Sequence, residues 1–184
     1  SCGQLWSQVL RDEARAGLRA ERLLSECYVV PATMPGKARG WMEELSRFKT
    51  RGSPLRPEKS GLLIVDLLEY FVDPNSRAYL PQSRAAVVGA AGLLAAFRAA
   101  GRPVFFARHA HRDPARDGGL MTRWWAKVCR DGQPESRVAG ALAPRPGETV
   151  LRKTRYSAFS NPRMSRALRA AGVEDLVLCG LATN

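Results

Sequence analysis

The sequence predicts an α/β protein: a three-layer α/β/α domain on a mostly parallel, doubly wound sheet, preceded by a helical N-terminal arm. Three observations lead there. Short apolar runs of strand length recur along the chain, GLLIVD at 61–66, PVFFAR at 103–108 and LVLCG at 176–180. Helical stretches lie between them, and a β-α-β alternation implies parallel strands joined by right-handed crossovers. Stop signals fall where helices should end, as where Gly101 closes an alanine-rich stretch and Pro103 follows.

Residues 1–57 read as the arm. Leu5, Trp6, Val9, Leu10, Ala14, Leu18 and then Leu23 and Leu24 approximate one apolar face of a helix. Pro31, Pro35 and two glycines interrupt the pattern between Val29 and Gly40, and a second helix is expected from Gly40 to Phe48. The Gly, Ser and Pro content of 51–57 is that of a linker. Such an arm packs on its own domain or on a partner subunit and carries no chemistry. Residues 58–184 form the α/β domain: a strand at 61–66, a helix at 83–100, a strand at 103–108, a long irregular loop at 113–136, a strand at 149–153, a helix at 162–171 and a strand at 176–180. A doubly wound domain that finishes on a strand and a turn lacks the next helix and the final strands, so the chain is expected to be truncated at its C-terminus.

Composition excludes several classes. With 45% apolar and 25% charged residues, the 184-residue chain is ordinary for a globular protein. The net charge of +12 is dispersed among acidic and apolar residues, without a basic run or a stripe interleaved with aromatics, so no nucleic-acid partner is expected. Cys2, Cys27, Cys129 and Cys179 are too widely spaced for a zinc site or a disulfide scaffold. No apolar stretch reaches the roughly 18 residues that span a bilayer, and the start lacks the pattern of a signal peptide. A cytoplasmic protein with no membrane partner is the expectation.

In open sheets of this type, ligands bind beyond the carboxyl ends of the strands. The residues there are Asp66, Arg108 to His111, Lys153 and Leu181 to Asn184. Asp66 ends an apolar run at the rim of the core, where partial burial raises a carboxyl pKa and suits it to accept a proton; a helix cap or loop carboxylate is the alternative. Lys153 at its strand end can lower a thiol pKa or stabilise an oxyanion, or it is a solvated surface charge. Cys179 lies inside a strand and reads as a small core residue; Cys129 follows Trp124, Trp125 and Lys127 with nothing to fix a base beside it. His109 and His111 alternate and so point to one side, a disposition suited to substrate contact or loop hydrogen bonding. Trp124 or Trp125, with Phe71 opposite, would wall a small substrate, or they simply pack.

Taken together, GLLIVDLLEYF at 61–71, KTRYSAF at 153–159 and CGLATN at 179–184 resemble the isochorismatase-like cysteine hydrolase superfamily. The resemblance covers about 58–184 and leaves the arm outside. It implies a catalytic triad of Asp66, Lys153 and a cysteine two positions beyond Asn184, with a cis peptide between Leu181 and Ala182 and an oxyanion-binding turn over Leu181, Ala182, Thr183 and Asn184. Tyr156, within KTRYSAF, joins Phe71, His109, His111, Trp124 and Trp125 as a pocket candidate. Some relatives, the nicotinamidases, bind zinc through an Asp-x-His and a further His; here the matching spacing carries no carboxylate, and neither metal nor cofactor is expected. Many relatives have Gln two residues after the catalytic Asp, where this chain has Leu68.

The resemblance implies a homo-oligomer (dimer or tetramer) and hydrolysis of a carbon-nitrogen bond in a small amide, ureido or carbamoyl compound through a thioester, with the ATN turn closer to ureidoacrylate-type amidohydrolases. Isochorismatase-type cleavage of a vinyl ether, with Asp66 as general acid, is the alternative. A non-catalytic scaffold of the same fold is the third reading.

Overall fold

The computed structural model describes residues 29–48, 52, 54–125 and 127–181. The chain divides into two compact units, Ser1–Phe48 and Lys49–Asn184.

In the first unit, helix α1 spans Met34–Ser46. It begins six residues before the Gly40 start read from the sequence, because Pro35 falls in its first turn, where a missing N–H and a fixed φ cost nothing. Gly36 and Gly40 are carried inside the helix, each at about 1 kcal/mol relative to Ala. No residue of α1 is buried, and Trp41, Met42 and Leu45 on it and Phe48 just beyond it are exposed. The apolar stripe from Leu5 to Leu24 lies outside the described residues.

The second unit is built on four parallel strands, β1 (Ser60–Val65), β2 (Val104–His109), β3 (Thr149–Lys153) and β4 (Asp175–Gly180), in the order β3-β2-β1-β4. The strands stand within a residue of their expected bounds. Their side chains alternate between two faces. Leu62, Ile64, Val104 and Phe106 turn toward Ala90 and Leu94 of helix α3 (Ser83–Ala99), while Leu63, Phe105 and Ala107 turn toward Met164 and Leu168 of helix α6 (Pro162–Ala170). Each such burial contributes about 1.5–3 kcal/mol, and the two clusters make the expected three layers.

Helix ends follow local rules. At the end of α3, Arg102 N–H donates to Phe97 O and Gly101 N–H to Arg98 O, with Gly101 at φ +62°, the Schellman arrangement that favours glycine. Asn161 caps α6 by accepting from Arg163 N–H, and its amide donates to Arg152 O at 2.7 Å, which ties the helix start to the end of β3. Arg98 of α3 forms a two-point ion pair with Glu148, just before β3.

The 113–136 segment, expected to be irregular, contains short helices, α4 (Pro114–Asp117) and α5 (Met121–Trp124), and a 3-10 turn at Pro134–Ser136; Glu69–Val72 forms α2. Pro114 at the first helical position and Asp113, accepting from Ala115 N–H, nucleate α4, signals that read equally as loop punctuation in a sequence. Among the described residues, no helix is long and apolar enough to cross a membrane.

Candidate active site

The strand order places a topological switch between β1 and β4, because the chain builds outward from β1 through β2 to β3 and then returns to the other side of β1. The crevice at the carboxyl end of such a switch is where doubly wound sheets bind ligands. Asp66 stands at its β1 lip and Leu181 at its β4 lip, joined by a hydrogen bond from Leu181 N–H to Val65 O at 3.1 Å. Gly180 permits that approach: a Cβ there would collide with Val65 O.

Asp66 adopts φ +57°, in the left-handed region that Asp and Asn enter more readily than other non-glycine residues. Its N–H continues the ladder by donating to Ala107 O, and its carbonyl accepts from Leu68 N–H. The carboxylate is held at both oxygens. Oδ1 accepts from His109 N–H at 3.0 Å, and Oδ2 accepts from Lys153 Nζ at 2.6 Å. Lys153 lies two strands from Asp66, roughly 10 Å at ordinary strand spacing, so its side chain reaches across the end of β2. Nζ also donates to Arg155 O at 3.1 Å.

Asp66 is 7% and Lys153 3% exposed, so neither is the surface charge that its residue type would suggest. Burial pushes the Asp66 carboxyl above its ordinary range, against the opposing pull of the Lys153 ammonium and the His109 N–H. A carboxylate raised in this way is a stronger proton acceptor than an exposed one.

Behind the pair runs a chain of polar groups that spacing did not reveal. His109 and His111 do share a side of the chain, with their Nε2 atoms 3.0 Å apart. His111 Nδ1 lies 3.0 Å from Asp117 Oδ1. A carboxylate only accepts, so that nitrogen carries a proton and the facing Nε2 atoms share another. Asp117 further accepts from Arg112 N–H and Arg152. Burial alone would raise its pKa, but the hydrogen bonds from Arg112 N–H, His111 and Arg152 hold it below the usual range. The ring of His111 is completely buried. Asp117 and Arg152 look like dispersed surface charges in the sequence, and only the meeting of Asp117 with both His111 and Arg152 marks them.

Burial pushes the His109 imidazole down to about 3, helped by the nearby Lys153 and His111. In the unfolded chain the ring binds a proton near pH 6.5, whereas in the folded protein it stays neutral, so stability is full above about 6.5 and is lost as pH falls toward 3. We expect His109 to contribute a loss of up to about 1.4 kcal/mol per pH unit below that point. Urea unfolding of the wild type and His109→Gln at pH 7 and pH 5 checks this: the variant should lose less stability between the two, and equal losses would contradict the assignment.

The remaining candidates separate. Phe71 is half-buried and packs edge-on against Tyr70. Trp124 and Tyr156 are exposed. Trp125 lines a groove of about 870 Å³ with Glu69, Asp73, Lys127, Gln133 and Glu135, but neither Asp66 nor Lys153 is part of its lining. Cys129 is fully buried with its thiol pushed up to about 12, and Cys179 is pushed up to about 11, both mainly by burial, so neither is a ready thiolate. The peptide from Leu181 to Ala182, and Thr183 and Asn184, lie outside the described residues. Among the described residues no cluster of His, Cys, Asp and Glu suits a metal ion.

An Isochorismatase domain model matches residues 60–184. The chain belongs to the isochorismatase domain family. It is 37% identical over 130 residues to maleamate amidohydrolase of Pseudomonas putida, covering 68% of this chain and 61% of that protein. It is 34% identical over 127 residues to a probable isochorismatase of Pseudomonas chlororaphis, covering 68% and 59%. A crystal structure of a cysteine hydrolase from Pseudomonas syringae pv. phaseolicola superposes with a TM-score of 0.67 at 28% identity, covering 71% of this chain and 63% of that one. The chain thus spans about three fifths of the length of these relatives. The isochorismatase fold and the sequence resemblance agree, and Asp66 and Lys153 both fall inside the matched domain.

Proposed function

We propose that the protein is a cysteine-dependent hydrolase that cleaves a carbon-nitrogen bond of a small amide, ureido or carbamoyl compound. The observation that carries this reading is the buried 2.6 Å contact between Lys153 Nζ and Asp66, held from its other oxygen by His109 N–H, at the switch point of the sheet. Such a pair suits the activation of a thiol. The proposed nucleophile is a cysteine two positions beyond Asn184.

In this mechanism Asp66 accepts the thiol proton and Lys153 stabilises the resulting thiolate by its charge. The sulfur attacks the substrate carbonyl, and amide N–H groups of the turn that starts at Leu181 stabilise the oxyanion. As the carbon-nitrogen bond breaks, Asp66 returns its proton to the leaving nitrogen. Water then attacks the thioester, losing a proton to Asp66, and the carbon-sulfur bond breaks to release the acid product and the enzyme's thiolate, which recovers its proton from Asp66. Maleamate amidohydrolase among the relatives, and the cysteine hydrolase among the structures, support this class.

One observation favours a second reading. Burial raises the pKa of Asp66, so it can act instead as a general acid toward a vinyl ether, as in isochorismatase-type cleavage, with no thiol required. The test uses the full-length protein with a panel of small amides, ureido acids and carbamoyl compounds beside isochorismate, reading ammonia or amine release and trapping a thioester with hydroxylamine. Amine release that stops when the cysteine is alkylated is the expected result. Turnover of isochorismate alone, insensitive to alkylation, overturns it in favour of the second reading.

A further inference from the structure

The Asp66–Lys153 pair is one side of a closed circuit of hydrogen bonds. Asp66 Oδ1 accepts from His109 N–H at 3.0 Å, and the His109 ring meets that of His111, Nε2 to Nε2, at 3.0 Å. His111 Nδ1 reaches Asp117 Oδ1 at 3.0 Å. From Asp117 the circuit returns through backbone carbonyls. Asp117 O accepts from the Arg155 guanidinium at 2.7 Å, Arg155 O accepts from Lys153 Nζ at 3.1 Å, and Nζ closes on Asp66 Oδ2 at 2.6 Å. The circuit ties α4, which ends at Asp117, to the ends of β1, β2 and β3. Gly119 leaves it room, because a Cβ there would stand 3.3 Å from the Arg155 guanidinium.

We propose that Asp117 is a positioning residue for the Asp66–Lys153 pair. Among the described residues it has no hydrogen bond to either member, yet it ends both arms of the circuit, its carboxylate the arm to Asp66 and its carbonyl the arm to Lys153. On the first arm, Asp117 fixes a proton on His111 Nδ1 and so sets how the two rings share the next one. That holds the His109 ring, and with it the N–H that grips Asp66. On the second arm, Arg155 is anchored on Asp117 O, which steadies the carbonyl that aims the Lys153 ammonium. Bonds in a buried, low-dielectric network strengthen one another, so slack at Asp117 reaches the pair. Asp117 Oδ2 also accepts from Arg152 and from Arg112 N–H, contacts that brace the loop but lie outside the circuit. The inference rests on the reading of Asp66 and Lys153 as the reacting pair.

The test reads Asp66 itself and so does not depend on turnover. In the full-length protein, the carboxyl-carbon NMR resonance of Asp66, assigned with Asp66→Asn, gives its titration midpoint. The groups that act on this carboxyl are the Lys153 ammonium, the His109 N–H and the Cys129 thiol, which burial keeps protonated. Hydrogen bonds to the charged form hold a carboxyl pKa down, so loosening them raises it. Asp117→Ala cuts the first arm and should raise the midpoint by about one unit. Arg155→Ala, a change at an exposed side chain, cuts the second arm and should act in the same direction, which keeps the test open if the first variant does not fold. Toward an amide substrate, kcat should fall about tenfold in each with KM unchanged. Asp117→Asn keeps an oxygen for His111 Nδ1–H but loses the charge that holds Arg152, so it should return the midpoint to that of the wild type. A midpoint unmoved in an alanine variant that circular dichroism shows to be folded overturns the proposal. So does Asp117→Asn displaced as far as Asp117→Ala, which assigns Asp117 to the arginine contacts, or a rise in KM at constant kcat, which makes it a substrate contact. If the wild type turns over no substrate, the hydrolase reading fails while the Asp66 midpoint still decides the role of Asp117.

Discussion

Replacing Lys153 with Met is expected to destabilise the protein by about 3–5 kcal/mol near pH 7, because it leaves the Asp66 carboxylate buried without its counter-charge. The cost depends on pH in a defined direction. An unpaired buried carboxyl has a folded pKa above its unfolded value of about 3.9, so the folded variant binds a proton that the unfolded chain does not. The deficit relative to wild type therefore shrinks as pH falls toward 4 and is largest above the raised pKa. Urea unfolding at pH 7 and pH 4.5 measures both. Asp66→Asn combined with Lys153→Met removes the charge together with its partner and should recover most of the loss, since exchanging a whole buried pair for neutral groups is often close to neutral. A single-variant deficit below about 1 kcal/mol would mean that solvent reaches the pair and would remove the electrostatic basis of the site.

Asp66→Asn is expected to lower kcat/KM of the full-length protein about a thousandfold, within the range for loss of a general acid-base group. The substitution is well matched to its place. Asn tolerates φ near +57°, and its amide oxygen can still accept from His109 N–H, so the geometry is retained while the proton acceptor is lost. Both readings of the chemistry require a titrating carboxyl here, so activity within tenfold of wild type would defeat both and favour a scaffold. Thermal unfolding of the same variant distinguishes lost chemistry from lost fold. A decrease of the same order as that of Lys153→Met is expected, because Lys153 is then left buried without its counter-charge, so activity is compared at a temperature where the variant is folded.

The parts of this protein that could be read from sequence are those set by short-range patterns. Strand runs such as GLLIVD and the Gly101 stop signal depend on burial on both faces of a sheet and on a single backbone conformation, and both lie within a few residues in the chain. The start of α1 was misplaced because Pro35 means a break inside a helix and a start in its first turn, and residue type does not distinguish the two. The pairing of Asp66 with Lys153 had a different standing. Each residue had an equally ordinary local explanation, and they are separated by 87 positions.

From the sequence alone came the fold class, the positions of the strand ends and the family resemblance, because periodicity and motif order survive without coordinates. Tertiary structure alone decided that Lys153 reaches across β2 to Asp66, that His111 is buried against Asp117, which Arg152 also contacts, and that Trp125 lines a groove whose lining includes neither Asp66 nor Lys153. The physical reason is common to all three. A side chain's ionisation and partners depend on which groups share its low-dielectric surroundings, and those groups arrive from other strands and loops through the register of the sheet.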